Sequence, residues 1–193
     1  MADPPPHLRA VDATAEPAKV SDGVTAPRRR GGSGRFVTDV LVELGYADRE
    51  RVERALEASR SAGKPPERLL LEEGAITTEQ LSHAIADRHG LDYLDLGTFN
   101  VDMTAANLLN GSAARRYSAV PVAFIDDHTL LLAMSDPANV LAVDDIGLLT
   151  QMEIRPAVAN EEDIVALVKR LNRYEEAVQE AVDEDAEGAA SVE

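Results

Sequence analysis

Cysteine is absent from the 193 residues, and so is tryptophan. Without cysteine there is no disulfide scaffold, no thiol nucleophile and no thiolate-ligated metal. Positive charge is scarce: 19 Lys and Arg stand against 35 Asp and Glu, for a formal net charge of −16. A chain this acidic is a poor counterion for phosphate, so no nucleic-acid polymer is expected as a partner. No apolar run approaches the roughly 18 residues a membrane-spanning helix needs, so no direct membrane insertion is expected. The opening stretch MADPPPHLRAVD lacks the apolar segment of a secretory signal, and the expected location is cytoplasmic. What is present is an ordinary hydrophobic fraction of 45%, enough for a core in one domain or two small ones.

Charge and punctuation are uneven along the chain. Residues 1–34 hold five of the ten prolines and the run Arg28-Arg29-Arg30, and read as a disordered, solvated tail. The three arginines could also touch acidic lipid or a partner. Residues 175–193 carry eight acidic residues and no basic one, which reads as an acidic linker or tail. Between them the sequence divides into a helical unit over 35–96 and a small α/β unit over 97–174.

The helical unit is an internal repeat. VLVELGYADRERVERAL (40–56) aligns with LLLEEGAITTEQLSHAI (69–85) at a constant offset of 29 residues, pairing Leu41 with Leu70, Glu43 with Glu72, Gly45 with Gly74 and Leu56 with Ile85. Each copy has the pattern of helix–turn–helix. Val37, Val40, Leu41 and Leu44 share one helical face, and Gly45 follows as a left-handed terminator. Asp48 is placed to cap the next helix, and Thr77 with Gln80 forms a capping-box pattern in the second copy. Pro65-Pro66 suits a helix start. Neither copy can bury its apolar face alone, so four helices should pack together.

The second half has a different period. Leu91, Tyr93, Leu94 and Leu96 suggest a short extended stretch, and 103–109 and 112–117 two short helices. VPVAFI (120–125) and LLLAM (130–134) read as strands joined by a turn at Asp126-Asp127-His128. Val140, Val143, Ile146 and Leu149 fall on one face of a helix. MEIRPAV (152–158) reads as a third strand, placed at a sheet edge by Pro156, and Asn160 caps a last helix with Ile164, Leu167, Val168 and Leu171 inward. The expected fold class is α+β: two helix-turn-helix copies, then a small three-stranded mixed sheet covered by helices on one side.

LVELG and LLEEG, GLDYLDL (90–96), ARRYSAVPV (114–122) and LLLAMSDPANVLAVDDIGLLT (130–150) occur in this order. The order resembles the N-terminal domain of type II secretion and type IV pilus-assembly ATPases, the GspE N-terminal family with MshEN-type helical repeats in front. The similarity covers about residues 35–172. It implies a non-catalytic regulatory or docking domain that couples a hexameric motor to the cytoplasmic part of an inner-membrane platform or assembly protein, with peripheral membrane location through such partners. It also implies cyclic di-GMP as a ligand of some members. Transferred to this sequence, the nucleotide-binding candidates are Arg35, Leu41, Val42, Gly45, Leu56, Lys64, Leu70, Leu71, Gly74 and Ile85. The polar positions of the family's repeat depart: Phe36 and Pro65 stand where it has Arg, Thr38 and Glu67 where it has Gly, and Ser59 and Arg88 where it has Gln. Arg35 and Lys64 sit one residue earlier than the arginines would. A helical scaffold without cofactor is therefore the preferred reading of the repeats.

Catalytic patterns are missing. No G-x-x-x-x-G-K-[ST] loop occurs, so the chain is expected to be either a fragment preceding an ATPase domain or a stand-alone regulatory or scaffold protein. His7, His83, His89 and His128 lack the spacing of a metal pair, Asp126-Asp127 and Asp144-Asp145 lack that of a calcium loop, and Gly31-Gly32-Ser33-Gly34 is no nucleophile elbow. Neither an enzyme nor a metal site is expected.

Overall fold

A computed structural model describes residues 22–30 and 34–173. The expected acidic tail and most of the expected N-terminal tail lie outside the described residues. The elements run β1 (Val24–Thr25), α1 (Val37–Glu43), α2 (Arg49–Ala62), α3 (Pro66–Glu72), α4 (Thr78–His89), β2 (Tyr93–Leu94), α5 (Met103–Ala106), α6 (Gly111–Tyr117), β3 (Ala119–Phe124), β4 (Thr129–Met134), α7 (Val140–Thr150) and β5 (Glu153–Ala159). A helix over 161–173, here α8, follows.

The repeat folds twice in the same way. α1 ends when the Gly45 N–H reaches the Val42 carbonyl at 3.0 Å and the Tyr46 N–H the Leu41 carbonyl at 2.9 Å. α3 ends identically, with Gly74 to Leu71 and Ala75 to Leu70, both at 2.9 Å. These are paired Schellman closures, and they need the left-handed backbone that Gly45 (φ 75°) and Gly74 (φ 66°) supply. The Thr77–Gln80 capping box forms at the start of α4. Asp48 occupies the cap position of α2 but makes no side-chain capping bond. α1 packs on α4 and α2 on α3, around a core of Val40, Leu41, Val52, Ala55, Leu70, Ile76 and Ala84.

Among the described residues the sheet has five strands, not three, in the order β1-β2-β5-β4-β3. β1 pairs with β2 and β3 with β4 antiparallel, while β5 pairs parallel with both β2 and β4. The strand assigned to an edge on account of Pro156 is thus central. Its proline is tolerated because β2 is only two residues long and pairs at Val158 and Ala159, leaving that side of Pro156 unpaired. The edge strands are β1 and β3; β3 carries Pro121, and the register slips by one residue between Pro121 and Ala123. Helices do not cover one side alone. Val158 packs with Ala86 of α4 and Tyr93, while its neighbours Ala157 and Ala159 join the larger core with Ile146 of α7 and the inner row of α8. That row is the expected one: Ile164, Leu167, Val168 and Leu171 are all buried. α7 differs from expectation. It buries Ala142 and Ile146, whereas Val140 and Leu149 face solvent.

β1 lies inside the stretch read as disordered. Gly23 enters it at φ 86°, its carbonyl accepts the Asp95 N–H at 2.8 Å, and a Cβ there would meet the Asp95 carbonyl oxygen and the Phe99 nitrogen at 2.8 Å. Only glycine fits that approach. β2, expected with the helical unit, belongs to the sheet, so the two halves share one seam.

The repeat symmetry yields a prediction. Leu41 and Leu70 occupy equivalent, fully buried positions, so Leu41→Ala and Leu70→Ala should each cost about 2–5 kcal/mol through lost transfer energy and a residual cavity. Denaturant titration should show two comparable losses; a loss confined to one copy would contradict the equivalence.

Candidate functional site

The two candidate cations occupy equivalent places and have equivalent partners. The Arg35 guanidinium is ion-paired with Glu43. The Lys64 ammonium donates to both carboxylate oxygens of Glu72, at 2.8 and 2.9 Å. In each copy the acid lies eight residues after the cation, and Glu43 and Glu72 are themselves matched at the repeat offset. Arg68 adds a 3.5 Å contact to Glu72. The Lys64 hydrogen bond holds the Glu72 carboxyl below its ordinary value. Arg35 also approaches the buried Asp87 of α4 at 3.7 Å.

The remaining candidates do not converge on one surface. Leu41 and Leu70 have no exposed area and serve the core. Val42 and Leu71 are half-buried, and Leu56 is exposed. Gly45 and Gly74 are exposed chain reversals. Ile85 packs at the seam with Ala86, Tyr93 and Val158. One open groove of about 450 Å³ runs along α3, lined by Pro65, Glu67, Arg68, Leu71, Glu72 and Leu81. It contains two of the departing family-motif positions of the second copy, Pro65 and Glu67, but not Arg88, and its charges are two carboxylates and one guanidinium. In the first copy Phe36 projects into solvent and Thr38 is buried. Among the described residues no three His, Asp or Glu side chains converge to hold a metal ion.

Several groups absent from the sequence-derived set meet where the halves join. The Arg28 N–H donates to Asp87 Oδ1 at 2.6 Å, and its side chain donates to the Glu43 carbonyl oxygen at 3.0 Å, a cation closing the C-terminus of α1. Arg30 lies 3.6 Å from Asp92, which Arg155 of β5 contacts at 3.0 Å. The arginine run read as a solvated tail therefore ties β1 to α1, α4 and the sheet. Tyr46 Oη lies 2.5 Å from His83 Nδ1, and the His83 ring rests 5.4 Å from that of Tyr93. The only available signal for the acid partners was the repeat of Glu at 43 and 72. Nothing local marks Asp87 or Arg28, whose pairing spans 59 residues.

Burial lowers the His83 imidazole from its ordinary value; Asp87 and Glu79 oppose the shift, and Arg28 adds to it. A histidine with a depressed folded-state value binds its proton more readily when unfolded, so stability falls as pH drops through about 6.5. His83→Phe should flatten this slope. Melting curves taken from about pH 7.5 to about pH 5.5 should fall less steeply for the variant; equal slopes would assign the titration elsewhere.

Comparison with known proteins places these features. The model of the MshEN domain family matches residues 72–178. The type IV pilus assembly ATPase PilB of Myxococcus xanthus is 29% identical over 138 residues, covering 72% of this chain and 24% of that protein. PilB of Thermus thermophilus is 34% identical over 116 residues, covering 58% of this chain and 13% of that protein. The chain thus spans about a quarter or less of these curated relatives. A solved structure of MshE with cdg aligns with a TM-score of 0.60 at 29% identity, covering 71% of this chain and 99% of that one.

Proposed function

The chain belongs to the MshEN domain family, and from that premise we propose that it is a non-catalytic docking module of a type IV pilus assembly motor, linking the motor to the cytoplasmic part of an inner-membrane platform protein. The relatives that share its sequence are pilus assembly ATPases, which supports the assignment to such a machine. The observation that carries docking over nucleotide sensing is the state of the candidate cations. Arg35 and Lys64 are each held by the glutamate of their own repeat, and the groove beside Lys64 presents Glu67 where a close backbone approach to phosphate would need glycine. The full chain should retain a purified cytoplasmic platform segment in a pull-down at physiological salt. Absence of a complex with every such segment of the parent organism would overturn the reading.

A second reading, cyclic di-GMP reception, is favoured by the likeness to MshE with cdg. On that reading the tied cations release their glutamates to take phosphate oxygens. Calorimetry separates the two. The docking reading expects no saturable binding of cyclic di-GMP at micromolar concentrations, while saturable binding that disappears on Arg35→Ala would make the repeats a receptor.

A further inference from the structure

We propose that the outer face of α7 is a docking surface for an amphipathic helix of a partner protein, one whose apolar side chains flank a lysine or arginine. This rests on reading the module as a protein-docking one and specifies the partner's chemistry. Four of the ten large apolar side chains exposed among the described residues lie on this single helix: Val140, Leu141, Leu148 and Leu149, at 62%, 75%, 79% and 60% exposure. Isolated exposed leucines are ordinary, but a row of them on one short helix is not. Leu141 and Leu148 are seven residues apart, so they stand on one side about 10 Å apart along the axis. Asp144 and Asp145 fall between them on the same side, at i+3 and i+4, and no residue of α7 is basic. Behind this row an open hollow of about 550 Å³ is lined by Val143, Gly147, Met152 and Ile154, with the exposed Asp144 and Glu153 also lining it.

Charge selects the occupant. An anionic lipid surface would meet Asp144, Asp145 and Glu153, three carboxylates against one nearby cation, Arg116 of α6 over the Tyr117 ring, the reverse of an interfacial helix. A second copy packed about a two-fold axis would bring the same two aspartates face to face between the leucines. A helix carrying apolar residues at i and i+7 and a cation between them satisfies both parts of the pattern: its apolar residues cover Leu141 and Leu148, and its ammonium or guanidinium meets Asp144 and the remaining oxygen of Asp145, whose Oδ2 accepts the Tyr117 hydroxyl at 2.8 Å.

The test uses the full chain and three synthetic helical peptides of about 15 residues: one of leucine and lysine in this spacing, one with glutamate replacing lysine, and one with serine replacing leucine. The leucine–lysine peptide should bind saturably, shift backbone amide resonances at 140–154 and weaken with salt. The other two should not bind. Leu141→Ser with Leu148→Ser should weaken binding at least about tenfold while leaving thermal unfolding unchanged, since both side chains are exposed; Asp144→Asn should reduce the salt dependence. Retained binding in the double-serine variant, or shifts spread over other acidic surfaces, would overturn the proposal. So would a concentration-dependent dimer, or attachment to phosphatidylserine vesicles, that the double-serine variant abolishes. Platform capture distinguishes this failure from that of the function. If a platform segment binds the original chain and the double-serine variant equally, docking stands and the α7 surface falls. If no platform segment binds while the leucine–lysine peptide still occupies α7, the surface stands and the platform assignment falls.

Discussion

Everything in this molecule is organised by β5, which pairs parallel on both sides. A parallel neighbour cannot be reached by a tight turn, so each pairing requires a long crossover. The shorter crossover is a single helix: α7 carries the chain from β4 to β5. The other runs from β2 and includes α5, α6 and the β3–β4 hairpin before returning. β5 therefore joins the helical repeats, through β2 and the Ala86–Tyr93–Val158 contact, to the larger core. The Asp92–Arg155 ion pair adds a polar link across the same seam.

The repeats were legible because both of their signals are local. A period near 3.6 places Leu41 and Leu70 inward, and glycine after the last apolar turn marks each reversal. The sheet was half legible. β3, β4 and β5 have enough apolar length to be recognised, but Val24–Thr25 does not. β1 exists because Gly23 permits contact with Asp95 and because Arg28 meets Asp87, partners that lie far along the chain. Pro156 misled because an edge is a property of each residue's neighbours, and β5 is unpaired on one side only where β2 stops. α7 misled because leucines flank Asp144 and Asp145 on its outer side, so the apolar period alone does not single out the face that the two aspartates mark as outward.

The candidate site shows a similar division. The positions of Arg35 and Lys64 follow from the repeat, but their consequence depends on Glu43 and Glu72, which lie at the far ends of α1 and α3 and meet the cations along the length of each helix. Two copies that diverged in most surface residues still hold a cation and an acid in the same relation. That arrangement ties the chain just before α1 and α3 to the last residue of each helix and lowers the local positive potential. The same neutralisation leaves α7, on the other unit, as the most distinctive exposed surface among the described residues.

The double parallel pairing of β5 also bears on synthesis. β2 leaves the ribosome about 60 residues ahead of its central partner, a delay of roughly 3–12 s at ordinary elongation rates. The helical repeats, built from nearby contacts, can collapse well within that interval. Until β5 emerges, β2 has β1 on one side and nothing on the other, so Tyr93 and Leu94 present one unpaired strand edge. A chain truncated before residue 153 keeps that edge open and loses the parallel partner of β4 as well.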